Sequence, residues 1–584
     1  MNDTTRKEMN RQDGDEAYSK CYAAARPRLL LIVLLLAVIC PVALLAGRYT
    51  PAEDALSQKI RLWMSGEEER GAPVAPAMEI EEVWAIEDTR TETEEALVQR
   101  MFNGDEILGY DSESRTFYCT IGADNGDDWP ELSLSALGEA GVSAAFVDDY
   151  TYDFCWDAVA EGYRYELLTY TDTQYAYAGI VFTGLPIVTI HTDDNAEIEW
   201  DTNVGADIHI AGGDADALYS HALIHKRGGN AYVGVPKDSF RIKFRSVSLK
   251  GKEQEIAHSV LGMEADSDWL LIGNASDYKA IRNHLCWQQW AAWKEGPQFA
   301  ELESRLVELF RGDEYMGIYQ LMQYVNPEKE LLRMGGNPQT DALVRVIILN
   351  NQGTRPLNMR VNDYKGLTEL RYAPPGMTTE EAFAIFEPFD AIEIQRTTEM
   401  SDEEFAAILE KHFDVQDLLD YFLFVQLYGL RDNVRNNLYV WALRQEDGSY
   451  RYSFSPWDMD RSLGHEESTQ RAGELASYDM VMVQRMLDLD LMNSRELMWT
   501  MFEEKRAGVL SDESIYEWLF SVEDEINATG AFLRESEKWR GGAEKLNLGE
   551  MCEKVIEFQK VFEEQASWMW PLDGHGDAQT EDEA

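Results

Sequence analysis

The pattern of hydrophobic and polar positions divides the chain into regions of different period. Residues 29–46 are uncharged and almost wholly apolar. Residues 80–184 alternate short runs rich in Tyr, Thr, Val and Trp with clusters of Asp, Asn and Gly, which is typical of strands and turns. From Ser401 onward, apolar residues recur at helical spacing behind a capping box made by Ser401 and Glu404. The pattern therefore predicts an α+β protein whose strand-forming segments precede its helical ones.

The apolar run at residues 29–46 (LLLIVLLLAVICPVALLA) is long enough, at 18 residues, for a short membrane-spanning helix. The tail before it carries six Lys and Arg residues, and the positive-inside rule then places residues 1–28 in the cytosol and the bulk of the chain outside. We expect an uncleaved single-pass anchor followed by a linker at residues 47–79. Cleavage after the run, near Ala46, is the alternative.

The remaining chain separates into two folded regions and a tail. The strand and turn pattern of residues 80–184 predicts a small β-sandwich-like domain. Residues 185–572 start with strand patterns and end with helical ones, and form the predicted main domain. Residues 573–584 are acidic and are predicted to be disordered.

Composition excludes one class of partner and leaves one question open. Asp and Glu total 106 against 52 Lys and Arg, giving a formal charge of −54, and such a chain offers no basic groove for nucleic acid. None of the six cysteines forms a C-x-x-C motif, which argues against a zinc or thioredoxin-like redox site. Cys119 and Cys155 share the β-rich region, either as a disulfide or as two free thiols.

The segment from Leu430 to Gly464 carries the strongest chemical signal. Asp432 is followed five residues later by Asn437, then by two strand-like runs around a turn, and then by Asp458 and Asp460. Protein kinases use this order, with an aspartate that accepts the hydroxyl proton, a metal-binding asparagine and a metal-binding aspartate. Carboxylate and amide oxygens also suit Mg²⁺. Asp460 is a second candidate ligand or a partner for Arg461, and turn capping is the simpler role for each residue taken alone.

A second segment has the features of a phosphate-binding hairpin. A Gly-rich turn at Gly228 and Gly229 separates two strand patterns, and Lys243 lies on the second. Backbone N–H groups near such a turn can hold phosphate, and a lysine can reach it as a point charge. An ordinary hairpin with an exposed lysine would give the same pattern.

Five segments in this order resemble the CotH family of spore-coat and cell-surface kinase-like proteins. They are RGGNAYVGVPKDSFRIKF (Arg227–Phe244), DWLLIGNASDYKAIRNHL (Asp268–Leu285), VELFRGDEYMGIYQLMQYVN (Val307–Asn326), the block Asp432–Asn437, and SPWDMDRSLG (Ser455–Gly464). The resemblance implies a two-lobed atypical kinase-like domain at residues 185–572, with a β-rich N-lobe and a mostly helical C-lobe.

The resemblance also implies the site and its cofactors, which are ATP and Mg²⁺ or Mn²⁺. The expected site residues are Asp432 as the catalytic residue, Arg227, Lys243, Arg282 and Asn283 as nucleotide-binding residues, and Asn437, Asp458 and Asp460 as metal ligands. The family usually ends the second strand of the Val307–Asn326 hairpin with a glutamate. Gln323 stands there in this chain and leaves Lys243 without that ion-pair partner.

We therefore expect a membrane-anchored, extracytoplasmic kinase that phosphorylates Ser, Thr or another hydroxyl of a protein substrate. Two alternatives remain. One is a catalytically silent protein with the same fold that binds or assembles at a surface or coat. The other is a glycosyltransferase-like enzyme that uses Asp458-Met459-Asp460 as a D-x-D metal site, although no Rossmann-like alternation precedes it. No H-E-x-x-H or G-x-S-x-G motif supports a hydrolase.

Overall fold

The computed structural model describes residues 71–121, 132–147, 155–200, 202–213, 217–228, 237–247, 253–293, 302–346, 364–365, 368–394, 400–434, 436–465 and 480–572. The described residues from Gly71 onward belong to one compact unit. The predicted anchor at residues 29–46, with its flanking tail and most of its linker, lies outside the described residues. Within them, none of the helices is long and apolar enough to cross a membrane.

The strands, in chain order, are β1 (Ala72–Pro73), β2 (Thr91–Glu92), β3 (Val98–Asn103), β4 (Glu106–Ile107), β5 (Gly109–Asp111), β6 (Thr116–Thr120), β7 (Leu134–Gly138), β8 (Ser143–Phe146), β9 (Arg164–Tyr170), β10 (Gln174–Thr183), β11 (Ile187–Thr192), β12 (Val204–Ala211), β13 (Leu218–Arg227), β14 (Ser239–Val247), β15 (Glu253–Glu255), β16 (Asp268–Ile272), β17 (Ser304–Arg311), β18 (Glu314–Gln323), β19 (Ala342–Val346), β20 (Tyr364–Lys365), β21 (Thr368–Tyr372), β22 (Leu438–Arg444) and β23 (Tyr450–Pro456).

The α-helices are α1 (Ile80–Thr89), α2 (Trp156–Ala160), α3 (Arg282–Trp293), α4 (Pro327–Arg333), α5 (Thr379–Ala384), α6 (Glu387–Phe389), α7 (Asp402–His412), α8 (Val415–Leu427), α9 (Val481–Asp488), α10 (Ser494–Ala507), α11 (Asp512–Ala528), α12 (Ala531–Arg540) and α13 (Gly549–Met569). The chain is thus a mixed α+β protein, and helices dominate after residue 400 as the pattern predicts.

The first β-rich region consists of two sheets, ordered β1-β7-β3-β4 and β5-β6-β10-β9-β8, with β2 also pairing with β10. Apolar side chains from both sheets share one core, among them Met101, Phe117, Ala136 and Ile180. Its boundaries at residues 80 and 184 stay predictions. Cys119 and Cys155 are both free thiols in the structure.

An eight-stranded sheet follows, ordered β13-β12-β11-β17-β18-β16-β14-β15. Because β13 also pairs with β14, the sheet closes on itself, and we call it the barrel. Alternate side chains such as Phe240, Ile242 and Phe244 of β14 fill its interior. The intervening residues of β14, including Arg241 and Lys243, therefore point outward, on the face that also carries Leu270.

A five-stranded sheet, β20-β21-β19-β22-β23, belongs to the helical part of the chain. Helix α8 is almost wholly buried against it, and Phe422 and Phe424 are fully buried there. The predicted capping box is confirmed, since Ser401 accepts a hydrogen bond from the backbone of Glu404 at the start of α7. Helix α8 starts with its Asp414 cap and leads directly to the segment that begins at Leu430.

Candidate active site

The base of the β22–β23 hairpin brings together the two acidic segments found in the sequence. Leu438 is the register partner of Pro456. The next residues beyond this pair, Asn437 and Trp457, are also bonded, because the Trp457 N–H donates to the Asn437 carbonyl at 2.8 Å. The side-chain amide of Asn433 donates to the carbonyls of both Asn437 and Trp457, at 3.0 and 2.7 Å. The segment that holds Asn437 is therefore fixed beside the segment that continues to Asp458.

Asp432 lies on a short 3-10 helix, Arg431–Val434, just after α8. Two amides hold its carboxylate: Asn436 Nδ2 donates to Oδ1 at 2.7 Å, and Asn437 Nδ2 donates to Oδ2 at 3.0 Å. Both bonds orient the carboxylate without neutralising its charge. The described residues donate no hydrogen bond to the side-chain oxygen of Asn437, which leaves that oxygen available as a ligand.

Asp458 adopts the left-handed backbone conformation, with φ of 56°, and its side chain is half-buried. Burial raises the pKa of its carboxyl, and the charge of Asp432 raises it further, while Arg227 lowers it. Arg227 lies over the Trp457 ring, 5.6 Å from its centroid. Asp432, Asn437, Asp458 and Arg227 therefore form one electrostatic group, and three of the four come from the segment that the sequence singled out.

Asp460 has a different environment from Asp458. It is buried and accepts a hydrogen bond from the Ser276 hydroxyl. Burial and then the charge of Asp458 raise the pKa of Asp460 to about 7. The charge of Asp460 therefore interacts with that of Asp458, while its carboxylate is held by Ser276 in the loop that precedes α3.

Helix α3 supports the loop that carries the two aspartates. The backbone N–H of Met459 donates to the side-chain oxygen of Asn283 at 2.8 Å, and the amide of Asn283 donates to Gln320 at 2.6 Å. Arg282 forms an ion pair with Asp277 in the preceding loop. Both predicted nucleotide-binding residues of α3 are therefore engaged by the protein itself, and Asn283 positions the backbone between Asp458 and Asp460.

Lys243 lies farther from the acidic group. It is next to Arg241 on the outward face of β14, and its Cα is in register with that of Asp268. Burial lowers its pKa, and so does the neighbouring charge of Arg241. Gln323 does not take the place of the missing glutamate, because its amide donates to the carbonyl of Glu264 at 2.9 Å.

The barrel and the five-stranded sheet contribute further cations that the sequence analysis did not find. Arg345 of β19 is in register with both Tyr439 of β22 and Glu369 of β21, so the three share one face of the sheet. Arg371, two residues after Glu369, forms an ion pair with that glutamate at 3.2 Å. The charges of Arg371, Arg345 and Arg227 all lower the pKa of Tyr439, although its burial raises it more.

We give the name cationic cleft to the side chains that these charge interactions connect, namely Arg227, Arg241 and Lys243 of the barrel, Tyr324 after β18, and Arg345, Arg371 and Tyr439 of the five-stranded sheet. In a chain of formal charge −54, the five cations of this group interact, among the described residues, with the carboxylates of Asp268, Glu369 and Asp458. The sequence analysis did not identify Arg345 and Arg371, because they belong to residues 327–375, where the hydrophobic pattern predicts few strands.

The donor set at the acidic end fits a divalent cation. Asp432, Asn437 and Asp458 offer only hard oxygen atoms, which Mg²⁺ and Mn²⁺ prefer. Burial is the main cause of the raised pKa of Asp458, and the charge of Asp432 adds to it although Arg227 opposes it. Among the described residues, no three His, Cys, Asp or Glu side chains surround one metal position. The candidate ligands here are therefore the oxygens of Asn437 and Asp458, with Asp432 beside them.

Two of the residues that hold this geometry escaped the sequence analysis. Asn433 joins the two segments, and Asn436 shares the carboxylate of Asp432 with Asn437. The run Arg431-Asp432-Asn433-Val434-Arg435-Asn436-Asn437 contained the signal, since three asparagines so close to an aspartate are typical of a hydrogen-bonded loop.

The comparison with known proteins gives one family match. The model of a family described as CotH kinase protein matches residues 224–569, which include every predicted site residue. A search of the curated proteins finds no similar sequence.

Proposed function

Because the chain belongs to the CotH kinase protein family, we propose that it is an atypical kinase that transfers the γ-phosphate of ATP to a Ser, Thr or other hydroxyl of a protein substrate. The observation that carries this proposal is the group formed by Asp432, Asn437 and Asp458 beside Arg227. An orienting carboxylate, oxygen ligands for a metal and a cation for the phosphates are the parts that phosphoryl transfer requires.

Each of these residues has a role in the proposal. Asp432, held by its two asparagine amides, orients the acceptor hydroxyl and accepts its proton. Arg227 and Lys243 bind the phosphates of the donor from the barrel side. Asn283 keeps the backbone between the two aspartates in place through Met459.

Asn437 and Asp458 would hold a Mg²⁺ or Mn²⁺ ion, with Asp460 beside them, and the ion would neutralise negative charge on the phosphates. Binding of a cation would also offset the cost of keeping Asp458 ionised next to Asp432. The different surroundings of Asp458 and Asp460 argue against a symmetric D-x-D site. Asp460 is pinned by Ser276, whereas no hydrogen bond from the described residues engages the carboxylate of Asp458.

The location follows from the sequence alone. The apolar run at residues 29–46 and the Lys and Arg residues of the tail before it support a single-pass anchor with the kinase domain outside the cytosol. The substrate is then a protein at or beyond the membrane surface. A catalytically silent surface or coat-assembly protein is the competing function, and it predicts a cleft that binds no nucleotide.

Transfer of radiolabelled γ-phosphate from ATP to a mixture of basic and acidic test proteins, with Mg²⁺ or Mn²⁺, tests the proposal on the full chain in detergent. We expect transfer by wild type and its loss in Asp458→Ala. Asp447→Ala is the matched control, because Asp447 lies in the exposed turn of the same hairpin. Equal transfer by wild type and Asp458→Ala would contradict the assignment of Asp458, and absence of transfer by wild type would favour the silent protein.

A further inference from the structure

The barrel and the helical part of the chain share one hydrophobic core. The helical part consists of the helices after residue 400 together with the five-stranded sheet. Leu270, Ile318 and Met322 of the barrel strands are fully buried, and they belong to the same apolar cluster as Phe422 and Phe424 of α8. Two parts of a chain move relative to each other by default unless the interface between them is large and hydrophobic. The shared core therefore joins the barrel to the helical part along one face.

The first β-rich region, with its two sheets, covers another face of the barrel, and we call this region the sandwich. The Tyr118 ring of β6 stacks on the Tyr315 ring of β18, with centroids 5.2 Å apart and planes 8° from parallel. The backbone N–H of Tyr315 donates to the carboxylate of Asp111 at 3.2 Å. The N–H of Ser112 donates to the carbonyl of Asp313 at 2.9 Å. These contacts hold the sandwich against the turn and second strand of the β17–β18 hairpin.

The sandwich also contacts the helical part, at the start of α12. The N–H of Gly184, just after β10, donates to the carbonyl of Thr529 at 3.4 Å. Gly530 precedes α12 with φ of 67°, and a Cβ at this position would lie 2.1 Å from the carbonyl oxygen of Val159 in α2. The backbones therefore approach each other so closely that only glycine fits. The sandwich thus contacts both the barrel and the helical part.

Arg534 of α12 joins these three regions at one buried point. Its guanidinium donates to both carboxylate oxygens of Glu308 in β17, each at 2.8 Å, and to the hydroxyl of Thr183 in β10 at 2.7 Å. The Tyr315 hydroxyl donates to Glu308 as well, at 2.6 Å. The side chains of Arg534 and Glu308 are 8% and 0% exposed. A residue of the helical part therefore binds a barrel strand and the sandwich where water does not compete for these bonds.

The arrangement of these regions determines the geometry of the candidate site, because the site residues come from both the barrel and the helical part. Arg227 ends β13 of the barrel, whereas Asp458 follows β23 of the five-stranded sheet. Arg227 lies over the Trp457 ring, next to Asp458. Any rotation of the barrel against the helical part would change this contact. The contacts that prevent such a rotation therefore also preserve the site.

We propose that the sandwich, through Thr183 and Arg534, holds the barrel and the helical part in one fixed arrangement, so that nucleotide binding involves no closure of the two parts. Arg534 is then a positioning residue, which touches neither the nucleotide nor the acceptor. The kinetic consequence rests on the proposed function. If the Thr183 contact is weakened, the competent arrangement is only partly populated, and the apparent affinity for the nucleotide falls by that fraction. The kcat at saturating nucleotide stays the same, because the nucleotide selects the competent arrangement.

Distances between two spin labels, measured by pulsed electron paramagnetic resonance on the full chain in detergent, test the fixed arrangement. The labels are attached through encoded unnatural amino acids at Gln254 and Glu446. Gln254 is exposed on β15 of the barrel, and Glu446 is exposed in the turn between β22 and β23. We expect one narrow distance distribution that does not change when Mg²⁺ and a non-hydrolysable ATP analogue are added. A shift of the distribution on addition would overturn the inference.

Variants at Thr183 test the contact with Arg534. Thr183→Val keeps the shape of the side chain but removes the hydroxyl that accepts from Arg534. The distance distribution should broaden, and KM for ATP should rise roughly 2- to 10-fold, the range that one hydrogen bond accounts for, while kcat is retained. Thr183→Ser restores the hydroxyl and should restore both values. Thr173→Val is the matched control, since Thr173 is exposed in the turn at the opposite end of β10.

The outcomes separate this inference from the function on which its kinetic part rests. An unchanged distance distribution together with an unchanged KM in Thr183→Val would overturn the inference and leave the proposed function standing. Absence of both nucleotide binding and phosphate transfer in wild type would overturn the proposed function. The distributions of wild type and Thr183→Val without nucleotide would still decide the inference, since they depend on the contact alone.

Discussion

The buried ion pair between Lys237 and Glu535 gives the clearest quantitative prediction. Lys237 precedes β14 at the end of the Gly-rich segment, and Glu535 comes from helix α12 near the other end of the chain. Their side chains are each 4% exposed, and Nζ lies 2.5 Å from Oε1. The second oxygen of Glu535 accepts from the backbone N–H of Ile318 at 2.7 Å, and the ammonium lies 5.9 Å from the Trp539 ring centroid.

Replacing Lys237 with methionine keeps the shape of the side chain but leaves the carboxylate of Glu535 buried without its cation. Breaking a buried pair in this way costs about 3–5 kcal/mol. The double variant Lys237→Met, Glu535→Gln removes the uncompensated charge and retains an acceptor for Ile318, so it should recover most of that loss. The coupling free energy between the two positions should therefore exceed about 1 kcal/mol.

Urea denaturation followed by tryptophan fluorescence measures these free energies of unfolding. The matched control is Lys545→Met, which removes an ion pair of similar length, 2.9 Å to Glu161, whose side chains are 51% and 53% exposed. An exposed pair of this kind contributes about 0–1 kcal/mol. Equal losses for Lys237→Met and Lys545→Met, or a double variant no more stable than Lys237→Met, would refute the reasoning.

Three further predictions concern single positions. Burial lowers the pKa of His284 from 6.5 to about 4, so the unfolded chain binds more protons than the folded chain between pH 4 and pH 6.5. The thermal midpoint should therefore fall as the pH drops from 6.5 toward 4, and it should fall less steeply in His284→Gln. An identical slope in both proteins would contradict this. Gly429→Ala should lose on the order of 1–3 kcal/mol of unfolding free energy in urea denaturation, because φ is 68° and the new Cβ would lie 2.4 Å from the Phe558 ring. Gly376→Ala is the control that isolates the steric part, since φ is also positive there but the space around the new Cβ is open. Asn283→Ala should leave the buried N–H of Met459, between the two aspartates, without its acceptor. The variant should lose about 1–3 kcal/mol of stability and transfer phosphate more slowly. Unchanged transfer would show that this contact does not support the site.

Local signals in the sequence predicted the elements around the site well, because each rests on a short-range pattern. The hairpin of β22 and β23 follows from two strand-like runs around the turn at Asp447 and Gly448, and the start of α7 follows from the capping box of Ser401 and Glu404. The family suspected from five ordered motifs is confirmed by the match over residues 224–569. The spacing in the sequence also predicts that Asp432, Asn437 and Asp458 lie close together, because the two strands of a hairpin begin and end at the same place.

Contacts between distant segments could not be predicted in the same way. The pairing of Glu535 with Lys237 spans 298 residues, and no local pattern marks either residue as buried. Arg345 and Arg371 enter the cationic cleft through strand pairing in a stretch rich in Gly, Asn and Pro, where the periodicity is weak. Asn283 looked like a nucleotide-binding residue from its place in a motif, and only the packing of α3 against the loop at Met459 gives it a supporting contact.

A structure of the chain with Mg²⁺ and a non-hydrolysable nucleoside triphosphate tests the central claim most directly. We expect a metal about 2.1 Å from oxygens of Asn437 and Asp458, phosphates at Arg227, and an open approach to Asp432 for the acceptor hydroxyl. A metal bound elsewhere, or a nucleotide whose phosphates lie outside the cationic cleft, would contradict it.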